Sequence, residues 1–109
     1  MNVASINVRG LNNPTKRTTI FHWLKTKSFD IICLQETFCT KENVKEVYRD
    51  WQGCSFHSVS NSSHSKGVFI LFKNDFQFDT ISKYESDDGR KVLVNIKCNG
   101  QVYTIANIY

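Results

Sequence analysis

Two short runs do most to restrict what this chain can fold into. Residues 31–34 (Ile-Ile-Cys-Leu) and 68–72 (Val-Phe-Ile-Leu-Phe) are apolar at every position. Successive side chains of a β-strand point to opposite faces. A strand apolar on both faces suits the centre of a sheet that is covered on both sides, as in layered α/β proteins. Residues 30–36 and 67–73 are therefore read as two buried strands.

The remaining segments fall around these two. Residues 2–8 are rich in Val and Ile and read as a further buried strand, followed by a turn at residues 10–13. Asn13-Pro14 is a helix start, with Asn as N-cap and Pro as the first helical residue. That helix is predicted to run to about Lys27. Ile20, Phe21, Trp23 and Leu24 form its apolar face, with Lys16, Arg17 and Lys25 largely turned away from it. Thr40 is predicted to cap a second helix, in which Val44, Val47, Tyr48 and Trp51 fall at i, i+3, i+4 and i+7. Residues 58–66 are polar and serine-rich and read as a surface loop. Residues 76–84, 91–98 and 101–109 read as strands, the last two joined by an Asn99-Gly100 hairpin turn. The order is βαβα followed by a β meander, an α/β arrangement. Six strands and two helices leave one sheet face uncovered. The last strand also runs to the final residue. Both features lead to the expectation that residues 1–109 are a partial domain, truncated at its carboxyl end.

Composition sets outer limits. A chain of 109 residues holds at most one domain, and 40% hydrophobic with 13% aromatic residues suffices for a core. No stretch approaches the roughly 20 apolar residues that cross a membrane. Met1 leads directly into a mixed segment, with no secretory signal. The four cysteines (33, 39, 54, 98) show no CxxC spacing, so a reduced, intracellular protein is expected. The net charge of +4 is unevenly placed: Arg9, Lys16, Arg17, Lys25 and Lys27 precede Asp30 with no acidic residue among them. Such a segment is either a solvated helix face or a surface for a polyanion such as nucleic acid.

Ligands of open α/β sheets bind beyond the carboxyl ends of the strands. Asn7, Glu36 and Tyr109 occupy such ends, and Asn107 is two residues before Tyr109 on the same strand face. Glu36 follows an apolar run, so its carboxylate must reach solvent or a partner. It is either one ligand of a hard divalent cation, which favours oxygen donors, or a strand-end glutamate in a cap or salt bridge. Asn7 is either a phosphate-binding amide or a turn residue. His22, His57 and His64 have no partner acid in sequence and read as structural or solvated.

Several of these segments resemble a known family. Ser5-Ile6-Asn7-Val8-Arg9-Gly10-Leu11-Asn12 and Ile32-Cys33-Leu34-Gln35-Glu36-Thr37 resemble the first two motifs of the endonuclease/exonuclease/phosphatase superfamily. Ser65-Lys66-Gly67-Val68-Phe69-Ile70-Leu71 resembles its third conserved strand. Gly89-Arg90 and Ala106-Asn107-Ile108-Tyr109 fit the same pattern. The wording is most similar to the apurinic-type endonuclease domain of long-interspersed-element (non-LTR) retrotransposons. The resemblance covers the whole chain, with five weak motifs in the right order.

That resemblance implies an architecture, an activity and a set of site residues. By it, the chain is the amino-terminal half of a four-layer α/β sandwich. The implied activity is DNA nicking, dependent on magnesium or manganese, with no small-molecule cofactor. Glu36 is the implied principal metal ligand, Asn7 belongs to the network around metal and phosphate, and Tyr109 contacts the phosphate region. Arg9, Lys16 and Arg17 are candidate phosphate or DNA contacts. The Asp/His pair that activates water in the family, and a reverse transcriptase, would lie beyond Tyr109. The implied location is nuclear. Arg9 stands where many repair-type members carry an acidic or amide residue, and Phe38 where several retroelement members carry histidine. Two alternatives stay open: a sphingomyelinase-like or inositol-phosphatase-like hydrolase of the same fold, and a non-catalytic transposon relic that at most binds nucleic acid.

Overall fold

The computed structural model describes residues 1–61 and 66–109; His64 and Ser65 lie outside them. Seven strands and two helices succeed one another as β1 (Val3–Asn7), α1 (Pro14–Lys25), β2 (Ile31–Gln35), α2 (Val44–Trp51), β3 (Ser55–Ser58), β4 (Val68–Phe72), β5 (Asp79–Glu85), β6 (Lys91–Cys98) and β7 (Gln101–Ile108). They form a mixed four-stranded sheet, β1-β2-β4-β3, and an antiparallel three-stranded sheet, β5-β6-β7.

The two wholly apolar runs are central, as expected. β2 pairs with β1 in parallel and with β4 in antiparallel fashion. Its alternate residues then serve two separate cores. Ile32 and Leu34 face the helices with Phe21, Leu24, Val47, Trp51, Phe69 and Leu71. Ile31 and Cys33 face the second sheet with Phe56, Ile70, Phe72, Val92, Val94 and Ile96. The layers are therefore helices, sheet, sheet. The outer face of the second sheet carries Tyr84, Val102 and Ile108, each more than half exposed. This is the uncovered face that the count of elements required.

The helices are built as their sequences dictate. The Asn13 side chain accepts from the Lys16 N–H (3.1 Å) ahead of Pro14, and Phe21 meets Trp51 edge-on at 5.3 Å. The Trp51 indole N–H donates to the Phe72 carbonyl (3.1 Å), which ties α2 to the sheet beneath it. Four details depart from expectation. Thr40 starts a turn rather than the helix: its N–H donates to Asn43 Oδ1 (2.8 Å), and α2 begins after Asn43. β3 is an additional strand; it pairs with β4, so residue 58 ends a strand rather than opening the loop. The meander comprises only β5–β7, because β4 joins the first sheet. β5 begins three residues late, because Phe76 and Phe78 leave the strand path and stack on Phe72, Phe78 at 4.2 Å.

Arg17 also departs, and more consequentially. It lies one turn before Phe21 on the inward face of α1 and is 1% exposed. Its Nε donates to Asp50 Oδ2 (2.8 Å), and Nη1 donates to the Leu11 carbonyl (2.8 Å). Glu46 stands 3.9 Å from Nη2. A buried guanidinium is tolerated only when paired and hydrogen-bonded, and these partners achieve that between α1, α2 and the loop before α1.

Candidate active site

The carboxyl ends of β1, β2 and β7 lie at one end of the sandwich, with the loops that lead into β4 and β6. β1 and β2 are in register at Asn7↔Gln35. Immediately beyond, the Val8, Gly10 and Leu11 N–H groups donate to the carbonyls of Gln35, Glu36 and Thr37. The segments after the two strands thus run side by side and hold Asn7, Arg9 and Glu36 together. On the other flank of β2, the Thr37 and Phe38 N–H groups donate to the Gly67 and Lys66 carbonyls, and the Gly67 N–H to the Gly89 carbonyl. The Tyr109 N–H donates to the Arg90 carbonyl (2.8 Å), which brings the end of β7 to this rim.

The backbone here is strained. Arg9, Glu36 and Phe38 have φ of 51°, 54° and 59°. Side-chain-bearing residues rarely adopt this region, at a cost of about 1–3 kcal/mol each, and such residues gather at functional sites. At Glu36 the turn lifts the chain out of the strand direction just where the apolar run ends. Gly67 makes room for it. With φ 106°, a Cβ there would fall 2.3 Å from Thr37 Oγ1 and 3.3 Å from the Phe38 nitrogen.

Glu36 is partly exposed, and among the described residues no hydrogen bond or ion pair engages its carboxylate. Asn7 Oδ1 accepts from the Arg9 N–H (3.2 Å), so the asparagine builds the turn while its amide NH2 stays available. Lys16 Nζ donates to the Val8 and Arg9 carbonyls, both at 2.9 Å, which fixes an ammonium at the end of β1. Tyr109 is 42% exposed. The structure therefore brings Asn7, Arg9, Lys16, Glu36 and Tyr109 to one rim. It does not bring Arg17, whose guanidinium is sealed between the helices on Asp50 and the Leu11 carbonyl and so does not face a phosphate at this rim. Among the described residues no group of three or more His, Cys, Asp or Glu stands close enough to hold a metal. One carboxylate beside an amide fits a cation that keeps most of its water and takes its other ligands from a phosphate, as magnesium does. It does not fit a closed protein cage.

Two arrangements are not visible in sequence. His57 does have a partner acid. Its backbone N–H donates to Glu85 Oε2 (2.9 Å), its Nδ1 meets the Tyr48 hydroxyl, and its ring stacks on Phe69 at 5.4 Å. Burial holds the imidazole below its ordinary pKa, against the pull of Glu85, and pushes Tyr48 up to about 12. His57 lies on β3, two strands across from Glu36, and joins α2, β3 and β5. The second is Asn107. It is 3% exposed and points between the sheets rather than to the rim. All four cysteines are free, and burial raises Cys33 and Cys39 to about 11.

A sequence profile of the Endonuclease/Exonuclease/phosphatase family matches residues 2–108. The chain belongs to that family. The full chain is 26% identical to part of the Transposon TX1 uncharacterized 149 kDa protein of Xenopus laevis, of which it covers 8%. The fold is shared with solved structures. The Xenopus laevis APE2 catalytic domain aligns with the whole chain at TM-score 0.68 and 22% identity. AP endonuclease LMAP from Leishmania major aligns with 97% of it at 0.71 and 15%. The endonuclease domain of TRAS1, a telomere-specific non-LTR retrotransposon, aligns with 98% of it at 0.61 and 19%. The chain spans 45%, 38% and 44% of those three proteins, less than half of each. Among the described residues no helix is long and apolar enough to cross a membrane.

Proposed function

We propose that this chain is the amino-terminal part of a divalent-metal-dependent, DNA-nicking endonuclease of a retrotransposon. The observation that carries the reading is the rim: a carboxylate without a partner among the described residues, held on a strained strand-end turn beside an amide and two cations, within a chain that matches the Endonuclease/Exonuclease/phosphatase family over residues 2–108. The transposon relative and the TRAS1 endonuclease domain support DNA over a lipid or inositol phosphate. The remaining layer of the four-layer sandwich, and the nuclear location, belong to the same proposal.

Within it, each rim residue has a task. Glu36 and Asn7 would hold a magnesium or manganese ion together with the phosphate. When bound, such an ion neutralises phosphate oxygens and stabilises charge on the leaving oxygen. Arg9 and Lys16 place positive charge beside the same phosphate, Arg9 with its side chain exposed and Lys16 anchored through two of its three protons. Tyr109 has its hydroxyl available for a neighbouring phosphate. The group that activates water is assigned to the longer protein rather than to these residues.

Nicking of supercoiled plasmid tests this. The longer domain containing this chain should nick with magnesium, and Glu36→Ala should lower the rate by at least about 100-fold, in keeping with loss of a phosphate-clamping group. The 109-residue chain alone should not nick. Nicking that survives Glu36→Ala would overturn the assignment. Hydrolysis of sphingomyelin or an inositol phosphate, with DNA left intact, would move the reading to the other branch of the fold.

A further inference from the structure

Among the described residues the Asn107 side chain makes three hydrogen bonds, and each crosses from the second sheet to the first. Its Nδ2 donates to the Leu34 carbonyl (2.9 Å) and to the Phe69 carbonyl (2.8 Å). Its Oδ1 accepts from Gln35 Nε2 (2.8 Å), which also reaches Ser5 Oγ on β1 (3.0 Å). One buried amide therefore touches β2 and β4 directly, and β1 through one intermediary.

The position of these bonds matters more than their number. Leu34↔Phe69 is the last regular pair of the β2–β4 ladder. Two residues on, Glu36 turns left-handed, and the strands next bond through the Thr37 N–H and the Gly67 carbonyl. The turn opens a gap in the ladder. The two carbonyls at the near edge of that gap belong to Leu34 and Phe69, and Asn107 supplies a donor to both. The Lys73 N–H to Asp30 carbonyl bond fixes the alternation of the ladder, so Leu34 and Phe69 already exchange backbone hydrogen bonds. Asn107 adds a second donor to each carbonyl and clamps the last pair before the turn. It also grips Gln35, the residue covalently attached to Glu36.

We infer that Asn107 is a positioning residue for Glu36: by fixing Leu34, Gln35 and Phe69 from the opposite sheet, it sets the direction in which the Glu36 carboxylate leaves β2. The inference rests on the reading of Glu36 as a metal ligand. Asn107 itself faces the space between the sheets and touches no substrate.

The test separates positioning from bulk stability. Asn107→Asp keeps the shape and loses both donors; Gln35→Met keeps Asn107 and cuts its grip on the residue before Glu36. Amide hydrogen exchange is read at Gly10 and Thr37, whose N–H groups bond to the Glu36 and Gly67 carbonyls, and across the β5–β6 ladder as a reference. Binding of Mn2+ alone is read by the electron-spin signal of the free ion. Asn107→Asp should speed exchange at Gly10 and Thr37 about tenfold, in keeping with the loss of buried clamping hydrogen bonds, and leave β5–β6 unchanged. Mn2+ affinity should fall about fivefold. Gln35→Met should shift the same readouts in the same direction by less, and it carries the test if Asn107→Asp does not fold. Equal acceleration in both sheets, or no change at Gly10 and Thr37, overturns the inference. So does Mn2+ binding that Glu36→Gln abolishes but both lock variants leave intact. Mn2+ binding indifferent to Glu36→Gln overturns the metal reading instead, and the exchange pattern then still decides whether Asn107 orders this turn.

Discussion

The two outer faces of the sandwich are finished to different degrees. On the helical side, Arg17 is paired with Asp50, bonded to the Leu11 carbonyl and 3.9 Å from Glu46, Trp51 is closed under the Lys25 ammonium at 5.1 Å, and the core beneath is apolar. On the other side, β5–β7 show Tyr84, Val102 and Ile108 to solvent around a polar row in which Asn95 donates to Ser82 and accepts from Thr104. The edges differ likewise. Among the described residues β1 and β7 have no strand on their outer sides, and an open cleft of about 700 Å3 lies between them, bounded by Val3, Ser5, Ala106 and Ile108. One side is closed by a buried ion pair and apolar packing and the other exposes apolar side chains to solvent, so stability and assembly should respond to different substitutions.

The largest effect should come from the helical side. Asp50→Ala leaves the Arg17 charge buried with only a distant partner, and we expect a loss of about 3 kcal/mol in urea unfolding. A loss below about 1 kcal/mol would mean that the guanidinium finds water, and the contrast between the faces would weaken. The same pair predicts a pH dependence. The hydrogen bond from Arg17 lowers the Asp50 pKa below its ordinary value, against desolvation, with help from Arg49. A depressed carboxylate contributes stability that is complete above the ordinary aspartate range and is lost as pH falls through the lower native value. Acid unfolding should flatten over that window in Asp50→Asn.

Next is Gly67→Ala, where a methyl group would meet Thr37 Oγ1 at a backbone angle that alanine adopts with strain. A cost of about 2 kcal/mol is expected by thermal unfolding, together with weaker Mn2+ binding through the Glu36 turn. The smallest effects belong to the open face. Ile108→Lys and Tyr84→Lys should change the stability of the isolated chain by no more than about 0.5 kcal/mol, while reducing self-association in sedimentation. A cost above about 1 kcal/mol would show that this face is already covered in solution.

Much of this is legible from the residues, for physical reasons. The doubly apolar β2 and β4, the Asn-Pro start of α1, the Asn-Gly hairpin and the single carboxylate ending β2 are local signals, each readable from a few neighbours. What escapes depends on distant partners. Arg17 reads as a solvent residue because charge usually points outward; Asp50 and Glu46, far along the chain, allow it to turn in. β3 has one large apolar residue, Phe56, in four positions, and it is a strand because β4 offers an edge. Asn107 reads with Tyr109 as a rim residue, since alternation gives a face but not what lies opposite. His57 lacks an acid in sequence because Glu85 reaches it from another sheet.

The β6–β7 hairpin has a kinetic consequence. Its two-residue Asn99-Gly100 turn makes it the most local pairing in the molecule, and such hairpins close in about 1–10 μs. The register that places Asn107 on β7 is therefore set early, within the last fifth of the chain. Its carbonyl partners on β2 and β4 are 73 and 38 residues away and are joined only after slower, long-range pairing. The turn that presents Glu36 should be among the last parts of the protein to order and among the first to open.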